Sequence, residues 1–272
     1  MRKLRIAQIG VNTNSHSVQI FGSIAKQSNL FEIAGYCLPE GEKERLPWRV
    51  AKLSGYPELT LEEILNDPSI EAVTVETDEV YCTKYALMAA RHGKHVHMEK
   101  PGGVDPGEFA ELIAEVKKQG KVFHIGYMYR YNPAVRRLLE RVHAGELGEI
   151  VHVEAQMNCS HPAEVRDWLG ALPGGMMFFL GCHLVDIVLQ LQGEPDEVLP
   201  LNCSSGLDGV TAQDFGMAVL KYPRGWSFVK TTAVELGGFM RRQLVVVGTK
   251  GTVELKPLEE GAEGALTTDE VC

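Results

Sequence analysis

The feature that most narrows the fold is a change of grammar between residues 120 and 130 of this 272-residue chain. Before it, short apolar runs alternate with segments of helical spacing, the pattern of a parallel sheet with helices on both faces. Residues 4–9 are an apolar run ending at Gly10, after which Val18, Phe21 and Ala25 recur at helical spacing. Runs at 31–38, 71–77 and 94–99 predict further strands, with a helical pattern over 80–92 closed by Gly93. Asp105, Pro106 and Glu108 supply an N-cap, a first-turn proline and a capping-box acid for a helix that runs to Gln119 and stops at Gly120, and 122–127 follows as a strand.

After that the apolar runs succeed one another. Asn132 and Pro133 open a helix ending near Ala144 and Gly145, and 150–157 predicts a longer strand. Residues 179–192, capped by Gly193, predict a helix that is apolar nearly all round and therefore buried. Runs at 215–221, 227–234, 243–247 and 252–255, the last two joined by Gly248-Thr249-Lys250-Gly251, predict consecutive strands and hence an antiparallel sheet. The expectation is an α/β chain of two domains: 1–123 with a parallel sheet between helices, and 124–272 an α+β domain with a mostly antiparallel open sheet. The acidic, glycine-containing stretch 259–270 is expected to fray.

Charge and composition narrow the partners. Twenty-seven Lys and Arg against 36 Asp and Glu leave a net charge of −9, which repels polyanions and argues against nucleic acid and anionic membranes. The longest apolar stretches, such as 176–180, fall far short of the roughly 20 residues that cross a bilayer, and no apolar run follows Arg2-Lys3-Leu4-Arg5, so a cytoplasmic location is expected. Cysteines at 37, 82, 159, 182, 203 and 272 form no close pairs and read as reduced thiols. Cys159, His161, Cys182 and His183 are not spaced as zinc ligands, and no metal is expected.

Two segments carry chemistry. Gly10-Val11-Asn12-Thr13-Asn14-Ser15 sits where a G-x-G-x-x-G fingerprint would cradle a pyrophosphate, but only its first glycine is present. Asn12 tolerates positive φ yet adds a side chain at the close contact, and Ser15 suits a cap on the helix whose N-terminus faces the phosphates. A nucleotide site and a plain strand-to-helix turn both remain open. The position for a ribose-binding acid falls on Leu38, which accepts no hydrogen bond; Glu40 is either a displaced substitute or a solvated loop acid, so NAD and NADP are not distinguished. Gly93-Lys94-His95-Val96-His97-Met98-Glu99-Lys100-Pro101 is the most specific segment. A strand delivering Glu-Lys-Pro at its carboxyl end places the Lys100 ammonium in the ligand crevice of an open α/β sheet, the alternative being a surface lysine. His95 and His97 share a strand face but lack a third ligand, and read as packing histidines.

Taken with Glu99-Lys100-Pro101, the segments Gly93-Lys94-His95-Val96, Arg130-Tyr131-Asn132-Pro133, Gly145-Glu146-Leu147-Gly148-Glu149-Ile150, Gly181-Cys182-His183-Leu184-Val185-Asp186 and Gly248-Thr249-Lys250-Gly251-Thr252 give a chain that resembles the Gfo/Idh/MocA family over nearly its whole length. These are NAD(P)-dependent oxidoreductases typified by glucose-fructose oxidoreductase and inositol dehydrogenase. The resemblance implies a Rossmann domain, then a domain with a large open sheet whose outer face serves homo-oligomer contacts. It implies NAD or NADP as cofactor and hydride transfer between nicotinamide and a carbinol carbon of a sugar, cyclic polyol or related small molecule. On matching positions, Lys100 would hydrogen-bond the reacting hydroxyl and favour its alkoxide, and His183 would act as the acid–base group, an imidazole with an ordinary pKa near about 6.5 being suited to it. Expected cofactor contacts are Gly10, Asn12, Ser15, Glu40, Thr77 and Glu99. The expected substrate wall is Tyr127, Arg130, Trp168 and Asp186, with Arg166 and Asp167 alongside; Trp168 is equally suited to a core.

The chain also departs from the family pattern. Four residues before His183, where the family carries an Asp, stands Phe179, and Asp186 is either a substitute partner or a structural acid on the helix face. The usual Ala-Thr-Pro segment reads Glu76-Thr77-Asp78, and a histidine a few residues later is replaced by Cys82. With Asn12 and Leu38, these changes touch both the cofactor wall and the catalytic shell. The chain stops soon after 252–255, where the family continues, which reads as an abridged or divergent member. Two functions therefore stand: an oxidoreductase of CH–OH groups using Lys100 and His183, and a non-catalytic relative kept as a ligand-binding or regulatory subunit.

Overall fold

A computed structural model of the chain describes residues 2–14 and 16–259. Ser15 and residues 260–270 of the acidic end lie outside the described residues. Two compact units divide between Gly126 and Tyr127, against an expected boundary after residue 123.

The first unit runs β1 (Leu4–Ile9), α1 (Ser17–Lys26), β2 (Phe31–Cys37), the single turns α2 (Glu42–Arg45) and α3 (Pro47–Val50), α4 (Leu61–Asn66), β3 (Ala72–Val75), α5 (Glu79–Arg91), β4 (His95–Met98), α6 (Pro106–Lys118) and β5 (Phe123–Ile125). All five strands are parallel, in the order β2-β1-β3-β4-β5. The chain winds one way from β1 to β2 and the other way from β3 onward, so the carboxyl ends of β1 and β3 form the switch point at which such sheets bind ligands. One face is dry: Ile9, Val73, Val75, Val96 and Met98 of the strands pack on Ile64, Ala86, Ala89, Ala90, Leu112 and Val116. The alanines of α5 let that helix lie close to the sheet. Asp105 accepts from the N–H groups of Gly107 (2.7 Å) and Glu108 (3.1 Å), fixing the start of α6 where its sequence placed it.

Two differences from expectation have local causes. Helix α4 was not anticipated although Thr60-Leu61-Glu62-Glu63 is a capping box: Thr60 Oγ1 accepts from Glu63 N–H (3.1 Å), and Glu63 accepts from Thr60 N–H (2.7 Å). Strand β3 ends at Val75 rather than residue 77, since Glu76 and Thr77 turn off into the switch point, Glu76 N–H still bonding Ile9 O at 2.8 Å.

The second unit contains a 3₁₀ turn (Met128–Tyr131), α7 (Pro133–His143), β6 (Ile150–Asn158), α8 (Ala163–Trp168), a π-helical turn (Met177–Gly181), α9 (Cys182–Gln192), β7 (Glu197–Pro200), β8 (Phe215–Tyr222), β9 (Gly225–Thr232), β10 (Gln243–Gly248) and β11 (Thr252–Leu255). The sheet order is β11-β10-β6-β9-β8-β7, antiparallel except for the parallel β6/β9 pair. Two hairpins, β8–β9 and β10–β11, thus flank β6, which separates them in the sheet. Burial alternates along the strands, with Val153, Ala155 and Met157 of β6, Ala218 and Leu220 of β8 and Leu244 and Val246 of β10 turned inward. Helix α9 buries Leu184, Ile187, Val188 and Leu191, while Leu189 is partly exposed. Its π-helical lead-in, not foreseen, follows Gly174 and Gly175; a Cβ at Gly175 (φ +53°) would stand 2.2 Å from Gln213 O, so the chain can enter here only as glycine. Strand β7 was also missed, because it is a short edge whose four residues are all exposed.

Candidate active site

At the end of β1, Gly10 has φ +88°, and a Cβ there would lie 2.6 Å from Thr77 Cγ2 and 2.8 Å from the Thr77 backbone. Close approach of the first turn to the end of β3 therefore requires glycine. In that turn Val11 N–H donates to Glu42 Oε2 (3.1 Å), and Thr13 donates from its N–H (3.1 Å) and hydroxyl (3.2 Å) to Asp78 Oδ1. Arg45 holds the other Asp78 oxygen at 3.0 Å, and Arg49 donates to Thr13 O (2.8 Å) and to Ser17 Oγ (3.1 Å) at the start of α1. Asn12 is fully buried and so does not stand out from the turn. His16 occupies the N-cap position of α1 without a side-chain cap. Burial pushes the Glu42 carboxyl up to about 8, against the pull of the Val11 N–H, so it is largely uncharged at neutral pH. Backbone N–H groups, a helix N-terminus and two guanidiniums are a donor set that fits a pyrophosphate, with Asp78 as a competing anion.

Glu40 is placed otherwise. Its carboxylate accepts from Lys84 Nζ (2.8 Å) and Tyr85 OH (2.7 Å), bonds that hold it below the ordinary carboxylate range. Leu38 packs with the cluster of Phe21 and Tyr36.

Strands β3 and β4 end side by side at Val75 and Met98, so Glu76, Thr77, Glu99 and Lys100 leave the sheet together. All four are buried, as is Glu79 at the start of α5; Lys100 is 4% exposed, unlike a surface lysine. The Lys100 ammonium lies 3.9 Å from Glu99 Oε1, and the Lys100–Pro101 peptide is cis. A Cβ at Gly126 would come within 3.3 Å of Glu99 Oε2, so the glycine after β5 leaves Glu99 its space. Thr77 Oγ1 donates to Asp78 O (3.3 Å), and the Cys82 thiol donates to Thr77 O (3.3 Å). One ammonium cannot neutralise three buried carboxylates, and protonation meets the surplus. Burial, reinforced by Glu99 and opposed by Lys100, raises Glu76 well above the carboxylate range; burial raises Glu79 to about 7, again opposed by Lys100. Sequence reading noted Glu76 only as a departure and passed over Glu79, although an acidic run Glu76-Thr77-Asp78-Glu79 closing an apolar strand is an unusual signal.

In the second unit His183, in the first turn of α9, is buried and meets the edges of Tyr127 (ring centroids 5.9 Å) and Tyr129 (5.4 Å). Tyr127 lines a groove of about 470 Å³ with Pro173, Met177, Cys182, Val185 and Asp186. Asp186 receives a two-pronged ion pair from Arg130, with Nε 2.9 Å from Oδ2 and Nη2 on Oδ1, and also accepts from Gln190 Nε2 at 2.8 Å. Its carboxylate is thereby committed to Arg130, whose guanidinium in turn stacks 5.3 Å from the Tyr127 ring centre. Trp168 meets buried Phe179 edge-on at 5.1 Å. Arg166 is buried and bonds Asp214 (3.1 Å), Asp208 and the carbonyls of His161 and Leu207, which makes it a pillar of the fold.

Within the first unit the fold gathers Gly10, Asn12, Thr77, Glu99 and Lys100 at the carboxyl edge of the sheet and leaves Glu40 with α5. Within the second it gathers His183, Tyr127, Arg130 and Asp186 and leaves Trp168 with Phe179. Among the described residues no group of three or more His, Cys, Asp or Glu could hold a metal ion, and no helix is long and apolar enough to cross a membrane.

The fold has relatives among known proteins. The chain is 29% identical over 200 residues to an uncharacterized oxidoreductase, ORF334, of Rhizobium meliloti, spanning 72% of this chain but only 58% of that protein. It is 24% identical over 259 residues to the trans-1,2-dihydrobenzene-1,2-diol dehydrogenase of Mus musculus, spanning 93% of this chain and 74% of that one. The crystal structure of the WlbA dehydrogenase from Bordetella pertussis, in complex with NADH and UDP-GlcNAcA, has the same fold, with a TM-score of 0.81 at 22% identity over 94% of this chain and 79% of that one. Residues 4–127 match the oxidoreductase family domain with an NAD-binding Rossmann fold, and residues 135–254 match the GFO/IDH/MocA C-terminal domain. With both domain types in succession along the chain, a parallel sheet carrying Glu-Lys-Pro at its edge in the first and a mostly antiparallel sheet in the second, the chain belongs to the Gfo/Idh/MocA family of oxidoreductases.

Proposed function

We propose that the chain is an NAD(P)-dependent oxidoreductase of CH–OH groups, acting on a sugar, cyclic polyol or related small molecule. The observation that carries this reading is a lysine ammonium, Lys100, buried beside Glu99 with Glu76 and Glu79 close by, at the ligand edge of an NAD-binding Rossmann sheet. Bound nicotinamide would supply the hydride acceptor or donor. Thr13 N–H, Arg45 and Arg49 suit the pyrophosphate, and Gly10, Asn12, Ser15, Thr77 and Glu99 the rest of the cofactor; Glu40, held by Lys84 and Tyr85, is the least suited of the expected contacts. Lys100 donates to the substrate hydroxyl and stabilises its alkoxide, an interaction strengthened where water is scarce. His183 takes the hydroxyl proton in oxidation and returns it in reduction, with its ring held between Tyr127 and Tyr129. Tyr127, Arg130, Trp168 and Asp186 serve as substrate wall.

The same reading includes a homo-oligomer formed through the second sheet, supported by its outward row of Phe215, Met217, Val219 and Phe228 and by exposed Val198 and Leu199 on β7. Small-molecule rather than nucleic-acid partners accord with the net charge of −9, and a cytoplasmic location belongs to the same reading.

The test is nicotinamide absorbance with NAD⁺ or NADP⁺ and a panel of inositols, aldoses, a UDP-hexosaminuronate and trans-1,2-dihydrobenzene-1,2-diol. Turnover by the wild type, lost in Lys100→Ala with NADH affinity kept, is the expected result. Phe179 in place of a carboxylate favours the second reading, a non-catalytic ligand-binding or regulatory relative, which would follow from NADH binding without turnover of any member of the panel.

A further inference from the structure

We propose that Glu42 couples nucleotide binding to a proton: the chain accepts a dinucleotide pyrophosphate with the Glu42 carboxyl protonated, and draws a proton from solvent to do so where that carboxyl has ionised. The inference rests on the nucleotide-binding reading of the first unit and assigns a control on that same site. Glu42 opens α2 after Gly41 (φ +67°) and is fully buried. Its Oε2 accepts the Val11 N–H at 3.1 Å, two residues before Thr13, and its Oε1 is buried without a hydrogen-bond partner. Among the described residues no cation pairs with it. Arg45, in the same helical turn, is bonded to Asp78 and to Glu40 O (3.3 Å), and Arg49 to Thr13 O and Ser17 Oγ. An anion held by one neutral N–H in a dry seat is costly, so this seat favours the protonated acid.

The charges facing Glu42 agree. Burial is the largest influence and lifts the carboxyl to about 8; the Val11 N–H and Arg45 oppose the rise, while Asp78 at the start of α5 and Glu40 in the loop before α2 reinforce it. The Cys37 thiol at the end of β2, pushed up to about 12 by burial and by Glu42, stays neutral. Around the turn, then, Arg45 and Arg49 face Asp78 with one positive charge in excess, and ionised Glu42 would cancel it just where a doubly negative pyrophosphate is to bind. The turn has no room to withdraw from that charge, since Gly10 is already pressed on Thr77. A bound anion raises the Glu42 carboxyl further, because like charges disfavour ionisation. Reciprocally, the nucleotide binds the protonated form more tightly, so affinity is full below about 8 and falls as pH rises through that value. The proton comes from solvent, stays on the Glu42 carboxyl while nucleotide is bound, and returns to solvent on release.

Isothermal titration of the full chain with NADH and with NADPH tests this, run near pH 7 and near pH 9, and near pH 8 in two buffers of different ionisation heat, with circular dichroism to show a folded sample at each pH. The wild type is expected to weaken about tenfold from the lower to the higher pH, and to take up about half a proton per nucleotide near pH 8. Glu42→Gln keeps the acceptor for Val11 N–H and cannot ionise. It is expected to lose that uptake and, near pH 9, to bind about tenfold more tightly than the wild type, a gain that a merely loosened turn cannot give. Wild-type affinity that is flat with pH overturns the proposal, as does Glu42→Gln binding no tighter than the wild type near pH 9. An uptake that persists in Glu42→Gln also overturns it, placing the proton on another group such as Glu79. Failure of both nucleotides to bind the wild type near pH 7 refutes the nucleotide-binding reading itself, whereas binding without these proton effects refutes the Glu42 assignment alone.

Discussion

Asp78 sits on Thr13 much as a phosphate oxygen would, its Oδ1 accepting both the backbone N–H at 3.1 Å and the hydroxyl at 3.2 Å. The donors that a dinucleotide would use are thus already engaged by a carboxylate whose other oxygen is held by Arg45. Binding a pyrophosphate there means displacing or repelling that charge. Asp78→Asn is therefore expected to tighten NADH binding about fivefold, roughly 1 kcal/mol, in isothermal titration. Unchanged or weaker binding would place the pyrophosphate elsewhere.

Lys100→Met leaves Glu76, Glu79 and Glu99 buried without their ammonium. Carboxyls whose folded pKa is raised contribute stability that is complete below the ordinary carboxylate pKa and is lost as pH rises through the raised value; Glu76 and Glu79 are already raised, and removing Lys100 raises them further. The variant is expected to lose about 3 kcal/mol relative to wild type near pH 8, and clearly less near pH 5. Thermal unfolding at the two pH values reads the difference, and an equal loss at both would contradict the raised Glu76 and Glu79 carboxyls.

Glu42 makes the same point at a single residue. Its carboxyl, raised to about 8 from an ordinary 4.5, stabilises the fold at low pH and withdraws that stability as pH climbs between those values. Glu42→Gln keeps the acceptor for Val11 N–H and carries no charge. It should match the wild type near pH 5 and exceed it by about 2 kcal/mol above pH 8 in chemical denaturation. A difference that does not change with pH would mean the carboxyl is ionised throughout.

Phe179, where the family carries a carboxylate, is built into the core edge-on to Trp168. Phe179→Ala should cost about 3 kcal/mol, and Phe179→Asp more, since it adds a charge to an apolar seat. If denaturation shows Asp costing less than Ala, the site already holds a partner for a carboxylate, and His183, four residues on, is the group to examine.

What the sequence disclosed follows the range of the interaction. Strands β1 and β4 and the caps Asp105 and Asn132 are local patterns, and the fold places them where the pattern does. Strand β7 is a four-residue exposed edge without alternation, and the parallel β6/β9 pairing joins segments some 70 residues apart, so neither leaves a local trace. At the site, the Glu-Lys-Pro segment announced Lys100 by position alone. The contacts that decide its surroundings do not announce themselves: Thr13 meets Asp78 across 65 residues, and Arg130 takes Asp186 across 56. The departures flagged in the sequence do have physical places, Asn12 turned inside and Cys82 bonded to Thr77, which local spacing could not supply.

The central claim is that the first unit presents a pyridine nucleotide to Lys100. Isothermal titration of the wild-type chain with NADH and with NADPH tests it most directly. The account predicts saturable binding of one nucleotide per chain with a Kd between about 1 μM and about 1 mM for at least one of the two. No heat of binding from either nucleotide at concentrations up to about 1 mM, in a sample shown to be folded, would contradict it.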